Sequence, residues 1–407
     1  MAKVCLVTVG MGDVLSFPRM YKVARTLRKH GHEVVALCVR RQNKPSVEVR
    51  DGILIRRVKP MVRTRRRLPQ LFLLKALGLY LSMTLAALRE RADVYHCFHF
   101  GALPVGATVK ALRGRSVKLF YGGLEDYPYS YARYYLWRLR PPGNVMLARL
   151  AWKIYYKFEL SLIRTFVDFV FTVDSADGIP YKRYKAVSEN VVKIQNVPEA
   201  KADVDEELRE ELVAKYRGYK ILVYVGAVHR IRGCLNMVRA MRYVVKEVPN
   251  AKLLLIGPIT EEGFMEEASA FIKQHSLEDN VEFLGFVPYD KLHTYLAICH
   301  VGLWLYLPYE QSIRTKGSSK LFLYMRAGLP VVASNFPGIR SIIEEAKCGI
   351  LVDPTDVKQI ADAMIMLLEN PELAKQMGEN GRKAVREKYN WEKEEEKIIG
   401  AYEQLRG

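Results

Sequence analysis

Ser312–Gly338, SIRTKGSSKLFLYMRAGLPVVASNFPG, sets the architecture of this chain. It divides into three physical parts. Thr315–Ser319 is a small, polar, glycine-containing turn that carries Lys316 and runs into Lys320. Lys320–Ala327 has apolar residues at 321, 322, 324 and 325, the pattern of a short buried helix. Gly328-Leu329-Pro330 stops that helix, and Val331–Ser334 reads as a buried parallel strand. A helix opening on a polar turn presents unpaired backbone N–H groups and the positive end of its dipole. With two lysines beside it, the turn is a candidate anion site. An ordinary loop-helix-strand unit of an α/β domain fits the same residues.

A chain of 407 residues is too long for one ordinary core and predicts two domains. With 50% hydrophobic and 26% charged residues it reads as globular, and no internal repeat or low-complexity tract interrupts it. Its six cysteines (Cys5, Cys38, Cys97, Cys234, Cys299, Cys348) are dispersed, and no two form a CxxC pair. They read as buried thiols of a reducing compartment, with neither disulfide nor zinc site implied. The charge is uneven. Residues 1–200 hold 35 Lys and Arg against 14 Asp and Glu, and the remainder 28 against 30. The basic half predicts attraction to an anionic surface: lipid headgroups, a phosphorylated acceptor or nucleic acid. A merely soluble basic domain is the plainer alternative.

In chain order, Lys3–Val9 is a buried first strand ending at Gly10-Met11-Gly12, with an apolar run too short for a signal peptide. Pro18–His30 is an amphipathic basic helix capped by Gly31, and Glu33–Val39 is the second strand. The opening invites a dinucleotide reading, but the fingerprint fails. Its third glycine would fall at Leu15, and the second strand ends in Arg40-Arg41 with no acid for a ribose. Arg63–Arg67 precedes Leu71–Leu88, which fits a buried core helix with a basic lead-in or a helix lying on an anionic membrane. Asp93–Phe100 is a strand carrying His96 and His99 to its C-terminal end, where ligands of open α/β sheets collect. Lys118–Tyr121 is a strand running into Gly122–Asp126 with two carboxylates. Tyr129–Arg140 interleaves aromatics with arginine, which suits a membrane interface, and no pattern of a nucleic-acid-binding motif accompanies it. Val145–Phe166 continues the aromatic content, and Val167–Val173 and Val191–Ile194 are strands. Gln195–Glu211 reads as a linker, in which Asp203-Val204-Asp205 is a solvated face rather than a metal site.

The second half restarts the pattern. Strands at Lys220–Val225, Lys252–Ile256, Val281–Leu284 and Val301–Leu305 alternate with helices at Leu235–Val248, Glu261–His275 and Tyr289–Ala297. Gly226–Gly233, GAVHRIRG, is a turn bearing two arginines. The pattern predicts an α/β fold of two doubly wound, Rossmann-like domains facing a cleft.

PRMYKVARTLRKHGHEV (18–34), DVYH (93–96), VVKIQNVPE (191–199), VGAVHRIRG (225–233), LLLIGP (253–258), VEFLGFVP (281–288) and SSKLFLYMRAGLPVVAS (318–334) together carry a resemblance. In order and spacing they resemble the retaining GT-B glycosyltransferases of the large family four, over nearly the whole chain. KYNWEKEEEKIIGAYEQL (388–405) resembles that family's final helix, which crosses back to the first domain. The resemblance implies a basic acceptor-side domain at 1–197, a nucleotide-sugar domain at 198–388 and a returning helix at 389–407. It implies sugar transfer with retention, without metal or cofactor, to an acceptor that is lipid-linked or anionic. The place of work would be cytoplasmic, peripheral on the inner membrane face, with an anionic membrane surface and no nucleic acid as partner. Arg230, Arg232 and Glu125 become catalytic candidates. Gly12, Gly226, Gly257, Phe286, Ser318, Ser319, Lys320 and Leu321 become donor-binding ones, and His96 and His99 acceptor-side ones. Two departures stand out. The family's paired glutamates map to Thr315 and Leu323, and a leucine cannot accept hydrogen bonds from ribose hydroxyls. In the family's aspartate-x-histidine-glutamate loop, only Glu125 of Gly122–Glu125 is kept. A catalytically impaired scaffold subunit is the competing expectation.

Overall fold

The computed structural model describes residues 1–9, 14–40, 44–61, 72–123, 144–175, 177–316 and 318–404. The chain divides into two compact units. One comprises Met1–Asp174, Gly178–Ile194 and Glu394–Gly407; the other comprises Ser175–Asp177 and Gln195–Lys393.

The first unit runs β1 (Lys3–Thr8), α1 (Pro18–Lys29), β2 (Glu33–Val39), β3 (Val47–Arg50), β4 (Ile53–Val58), α2 (Phe72–Glu90), β5 (Val94–Phe98), α3 (Leu103–Arg113), β6 (Lys118–Gly123), α4 (Asn144–Phe166), β7 (Phe169–Thr172), α5 (Ile179–Lys185) and β8 (Val191–Lys193). Among the described residues these make an eight-stranded sheet in the order β3-β4-β2-β1-β5-β6-β7-β8. Every pair is parallel except β3–β4. β1 lies inside the sheet and is apolar from Val4 to Val7. Val4, Cys5, Leu6 and Val7 are fully buried, as a strand covered on both faces must be. α1 starts on Pro18, whose fixed φ suits the first helical position, and ends before Gly31 at φ 81°.

The sequence reading placed no strand between residues 41 and 62. The β3–β4 hairpin there turns on Asp51-Gly52, both at positive φ, the signature of a two-residue hairpin turn. α2 differs from a helix buried all round. Met83 and Ala87 enter the core, while Leu74, Leu77, Leu81 and Leu85 stay exposed. Among the described residues, no helix is long and apolar enough to cross a membrane. Arg63–Arg67 and Tyr131–Arg140 lie outside the described residues. Beneath β6, the fully buried Glu159 of α4 accepts from Tyr121 Oη at 2.6 Å and pairs with buried Arg183 of α5 at 2.9 Å.

The second unit runs α6 (Glu206–Lys215), β9 (Lys220–Val225), α7 (Cys234–Glu247), β10 (Ala251–Ile256), α8 (Phe264–Gln274), β11 (Val281–Gly285), α9 (Tyr289–Ala297), β12 (Val301–Trp304), α10 (Glu310–Arg314), α11 (Ser319–Ala327), β13 (Val331–Ser334), α12 (Pro337–Ala346), β14 (Gly349–Val352), α13 (Val357–Glu369) and α14 (Pro371–Glu387). A last helix, α15 (Trp391–Glu403), follows. Among the described residues the sheet has the order β11-β10-β9-β12-β13-β14, parallel throughout. Successive residues of β9 enter opposite layers. Leu222 and Tyr224 join one apolar core, and Ile221, Val223 and Val225 the other. α6 occupies part of the stretch read as linker. It is stabilised at its start by Asp205, whose carboxylate accepts from the Leu208 N–H at 3.1 Å, so one acid of the Asp-x-Asp is a helix cap. All six cysteines are buried and unbridged.

Candidate functional site

β9, β10 and β12 are neighbours in the second sheet, and the turns after them carry most of the candidate residues. Gly226 and Gly257 have φ of 139° and 146°, values that L side chains avoid. A Cβ on Gly257 would strike the Gly226 carbonyl, and one on Gly226 would strike the Lys320 stem. Gly233, at φ 73°, lies against the Leu305 carbonyl and starts α7. The GAVHRIRG turn is thus pressed onto β12 and onto the start of α11, and only glycine permits that approach.

Two cations meet there. Arg232 donates to Tyr306 Oη, and its guanidinium lies 4.8 Å from the Tyr306 ring centroid. Lys320 is half-buried in the first turn of α11; burial first, then the charge of Arg232, lowers its ammonium to about 8. Tyr306 stacks on Trp304 at 4.3 Å between centroids, and its phenol is pushed up to about 12 by burial. Trp304 Nε1 donates to Ser318 Oγ at 2.5 Å. Ser318 stands at the N-cap of α11 without capping it, because its hydroxyl is turned to the indole. The first-turn amides of Ser319, Lys320 and Leu321 have no partner within the helix and carry the positive end of its dipole. Chemically the arrangement suits an anion: it has two side-chain cations, backbone donors and an aromatic wall. The sequence reading missed Trp304 and Tyr306; their signal was aromatic residues where a parallel strand ends.

Arg230 is placed elsewhere. It pairs with Glu261 at 2.8 Å and Glu267 at 2.6 Å, and donates to the Gly263 carbonyl at 3.0 Å. The side chain of Leu321 is fully buried, so only its amide is on offer. Phe286, beyond β11, is 76% exposed. Leu323 is buried in the core that also holds Trp304 and Phe336. Thr315 bridges to Ser175.

In the first unit, His96 and His99 end β5. His96 stacks on Phe98 at 4.3 Å and shares a 3.0 Å hydrogen bond between Nδ1 and Tyr402 Oη. Burial, then the charge of Arg19, lowers it to about 3. The same causes lower His99 to about 4. His99 has φ 70° and ψ 158°, a conformation costly for any residue but glycine. Its N–H donates to the Gly122 carbonyl at 3.3 Å, and its ring lies 4.6 Å from that of Phe17. Both imidazoles are therefore neutral at pH 7. Arg19, which the sequence reading passed over, is buried beside them and donates to the Ile194 carbonyl at 3.0 Å. Gly12 and Glu125 lie outside the described residues. Among the described residues, no three His, Cys, Asp or Glu are grouped to hold a metal ion.

The sequence pattern described as "Glycosyl transferases group 1" matches residues 205–384. That described as "Glycosyl transferase 4-like domain" matches residues 18–156. The chain is similar to N-acetyl-alpha-D-glucosaminyl L-malate synthase of Bacillus anthracis, 31% identical over 186 residues, 46% of this chain and 45% of that protein. It is 26% identical over 162 residues to a GDP-mannose-dependent monoacylated alpha-(1-6)-phosphatidylinositol monomannoside mannosyltransferase of Corynebacterium glutamicum, covering 40% of this chain and 41% of that protein. The chain spans about half the length of the curated relatives it matches. Anabaena HepE, solved in complex with UDP-glucose, superposes with a TM-score of 0.71 over 99% of this chain and 100% of that one. At 14% identity that likeness is one of fold.

Proposed function

We propose, for a chain that belongs to the group 1 glycosyltransferases of the GT-B type, that it moves a sugar from a nucleotide-sugar to an acceptor. One observation carries this reading: Arg232 and Lys320 converge on the uncapped start of α11. In the reaction the C1–oxygen bond to the donor's β-phosphate breaks and a C1–oxygen bond to the acceptor forms. The acceptor hydroxyl's proton passes to the departing diphosphate, on which negative charge gathers as the bond to C1 breaks. Arg232, the Lys320 ammonium and the amides of Ser319, Lys320 and Leu321 stabilise that charge where it develops. Gly226 and Gly257 let the backbone approach the donor. Arg230, tied to Glu261 and Glu267, fixes the turn that presents Arg232. With these cations in place our reading needs neither metal nor cofactor, and it keeps the anomeric configuration, as the family resemblance implies.

The basic first half and the phosphatidylinositol mannoside named for the C. glutamicum relative support a lipid-linked or otherwise anionic acceptor. They support work on the cytoplasmic side of an anionic membrane. His96 and His99 are the acceptor-side residues of this reading, and Glu125 is the catalytic carboxylate that the family resemblance implies.

A second reading, an impaired scaffold subunit, is favoured by Leu323, which packs into the core and offers nothing to a ribose. Calorimetric titration with UDP, GDP, ADP and their sugar conjugates, alongside donor hydrolysis, separates the two. The enzyme binds one nucleotide class and hydrolyses its sugar conjugate. No binding and no hydrolysis across the panel overturns the transferase reading.

A further inference from the structure

α2, α3 and α4 lie side by side as one outer layer of the first unit, α3 packing against both neighbours. Their inner sides enter the core through Met83, Ala87, Val105, Val109 and Ile163. Their outer sides are unusual. Leu74, Leu77, Leu81 and Leu85 of α2 follow one another at three- and four-residue steps, which aligns them on one helix face. Leu150, Ile154 and Phe158 of α4 do the same at steps of four. With Leu112 of α3, these side chains are between 42% and 67% exposed. Single exposed apolar residues are ordinary; two aligned rails on one layer are not.

The charges on this layer have one sign. Lys75 and Arg89 flank the α2 rail, and Lys153, Lys157 and Arg164 run along one side of the α4 rail. The three helices contain only two carboxylates, Glu90 and Glu159, and both are buried and paired. Glu90 meets Arg56 at 2.6 Å, and Glu159 meets Arg183 at 2.9 Å. A second copy of this layer would bring like charges together. An anionic bilayer satisfies both features at once, because acyl chains take the leucines while headgroup phosphates take the lysines and arginines. A rail on one helix face also suits a helix lying flat, since no described helix is long and apolar enough to cross.

We propose that the α2–α3–α4 layer seats the first unit in the surface of an anionic bilayer, its two rails entering the headgroup–acyl boundary. This rests on the reading of the chain as a transferase that works at an anionic membrane, and it says which surface makes the contact.

The test is flotation of the full chain with vesicles of phosphatidylglycerol and phosphatidylcholine, and with vesicles of phosphatidylcholine alone. Wild type floats with the anionic vesicles. Leu77→Asp with Leu81→Asp, or Ile154→Asp with Phe158→Asp, lowers partition by at least about tenfold. Lys153→Glu with Lys157→Glu lowers it by about fivefold per residue and flattens its salt dependence. Unchanged donor hydrolysis and thermal melting certify folding, and the uncharged pair Leu77→Gln and Leu81→Gln guards against a variant that misfolds. Leu81→Trp gives a direct reading, because its emission shifts to the blue and is quenched by brominated acyl chains. Rail variants that float like wild type, or an unquenched Trp, overturn the seating while leaving the membrane reading intact. Wild type that floats with neither vesicle overturns both. A solution dimer, seen by light scattering and split by the Leu77→Asp and Leu81→Asp pair, also overturns the seating.

Discussion

The carboxyl ends of the two sheets occupy the same place in the same parallel design and carry opposite chemistry. Where β9, β10 and β12 end, glycine turns bring Arg232 and Lys320 to a helix start. Where β5 ends, His96 and His99 sit neutral among Phe17, Phe98 and Tyr402. Burial acts on both ends, but on different groups. A lysine lowered to about 8 is still charged at pH 7, whereas histidines lowered to about 3 and 4 are not. The fold fixes where ligands gather, and local burial decides which charge they meet. In our reading one edge takes a diphosphate and the other a neutral hydroxyl.

The largest expected effect probes whether charge in the first unit is structural. Arg183→Ala removes the 2.9 Å ion pair to buried Glu159 and should cost about 3–5 kcal/mol of stability. Chemical denaturation reads this, and a stability loss under about 1 kcal/mol refutes it. On the second sheet, Arg232→Ala should lose about 2–4 kcal/mol of transition-state stabilisation with little change in melting temperature. A kcat/KM within about threefold of wild type removes Arg232 from the mechanism.

Leu323→Glu sharpens the comparison by asking whether the missing ribose ligand can be restored. A charged hydrogen bond is worth about 1.5–3 kcal/mol, but a carboxylate in the Trp304–Phe336 core costs as much or more. The expected outcome is a stability loss on the order of 2 kcal/mol and no tighter nucleotide binding. A titration showing tenfold tighter binding would reverse that balance.

The smallest effects are in pH. Because Lys320 is lowered to about 8, diphosphate affinity should be flat below that pH and fall above it, by at most about tenfold per unit. Binding near pH 8 should take up a proton, visible as a buffer-dependent enthalpy; Lys320→Arg should abolish both. The ligand-free chain gains stability as pH rises from about 8 towards 10.5, since there the unfolded lysine binds more protons than the folded one. The histidines act at the other end. Their folded values lie below the ordinary 6.5, so stability falls as pH drops from 6.5 towards 4, and His96→Leu should flatten that slope.

What was legible in the sequence follows the physics of burial. β1, β2, β9 and β10 are apolar runs covered on both faces, and such runs announce themselves. The β3–β4 hairpin did not, because VEVR is an exposed edge and β4 carries Arg56 and Arg57. α6 was hidden in a charged stretch because only Leu212 of it is buried. The glycine turn and the serine–lysine helix start were readable as local features. Arg230 and Arg232 were not separable, because what distinguishes them is Glu261 and Glu267 on one side and Tyr306 on the other. Those partners lie far along the chain and meet the arginines only in the folded sheet.

The buried cysteines divide evenly, with Cys5, Cys38 and Cys97 in the first unit and Cys234, Cys299 and Cys348 in the second. Burial raises the Cys97 thiol to about 12 and the Cys234 thiol to about 11, so the native fold suppresses the thiolate as well as access to it. Alkylation therefore waits on transient opening of the surrounding structure. Each unit carries its own unfolding clock without a single engineered residue. Peptide mapping after timed exposure to a maleimide would show whether a nucleotide slows the clock of the second unit, and whether vesicles slow that of the first.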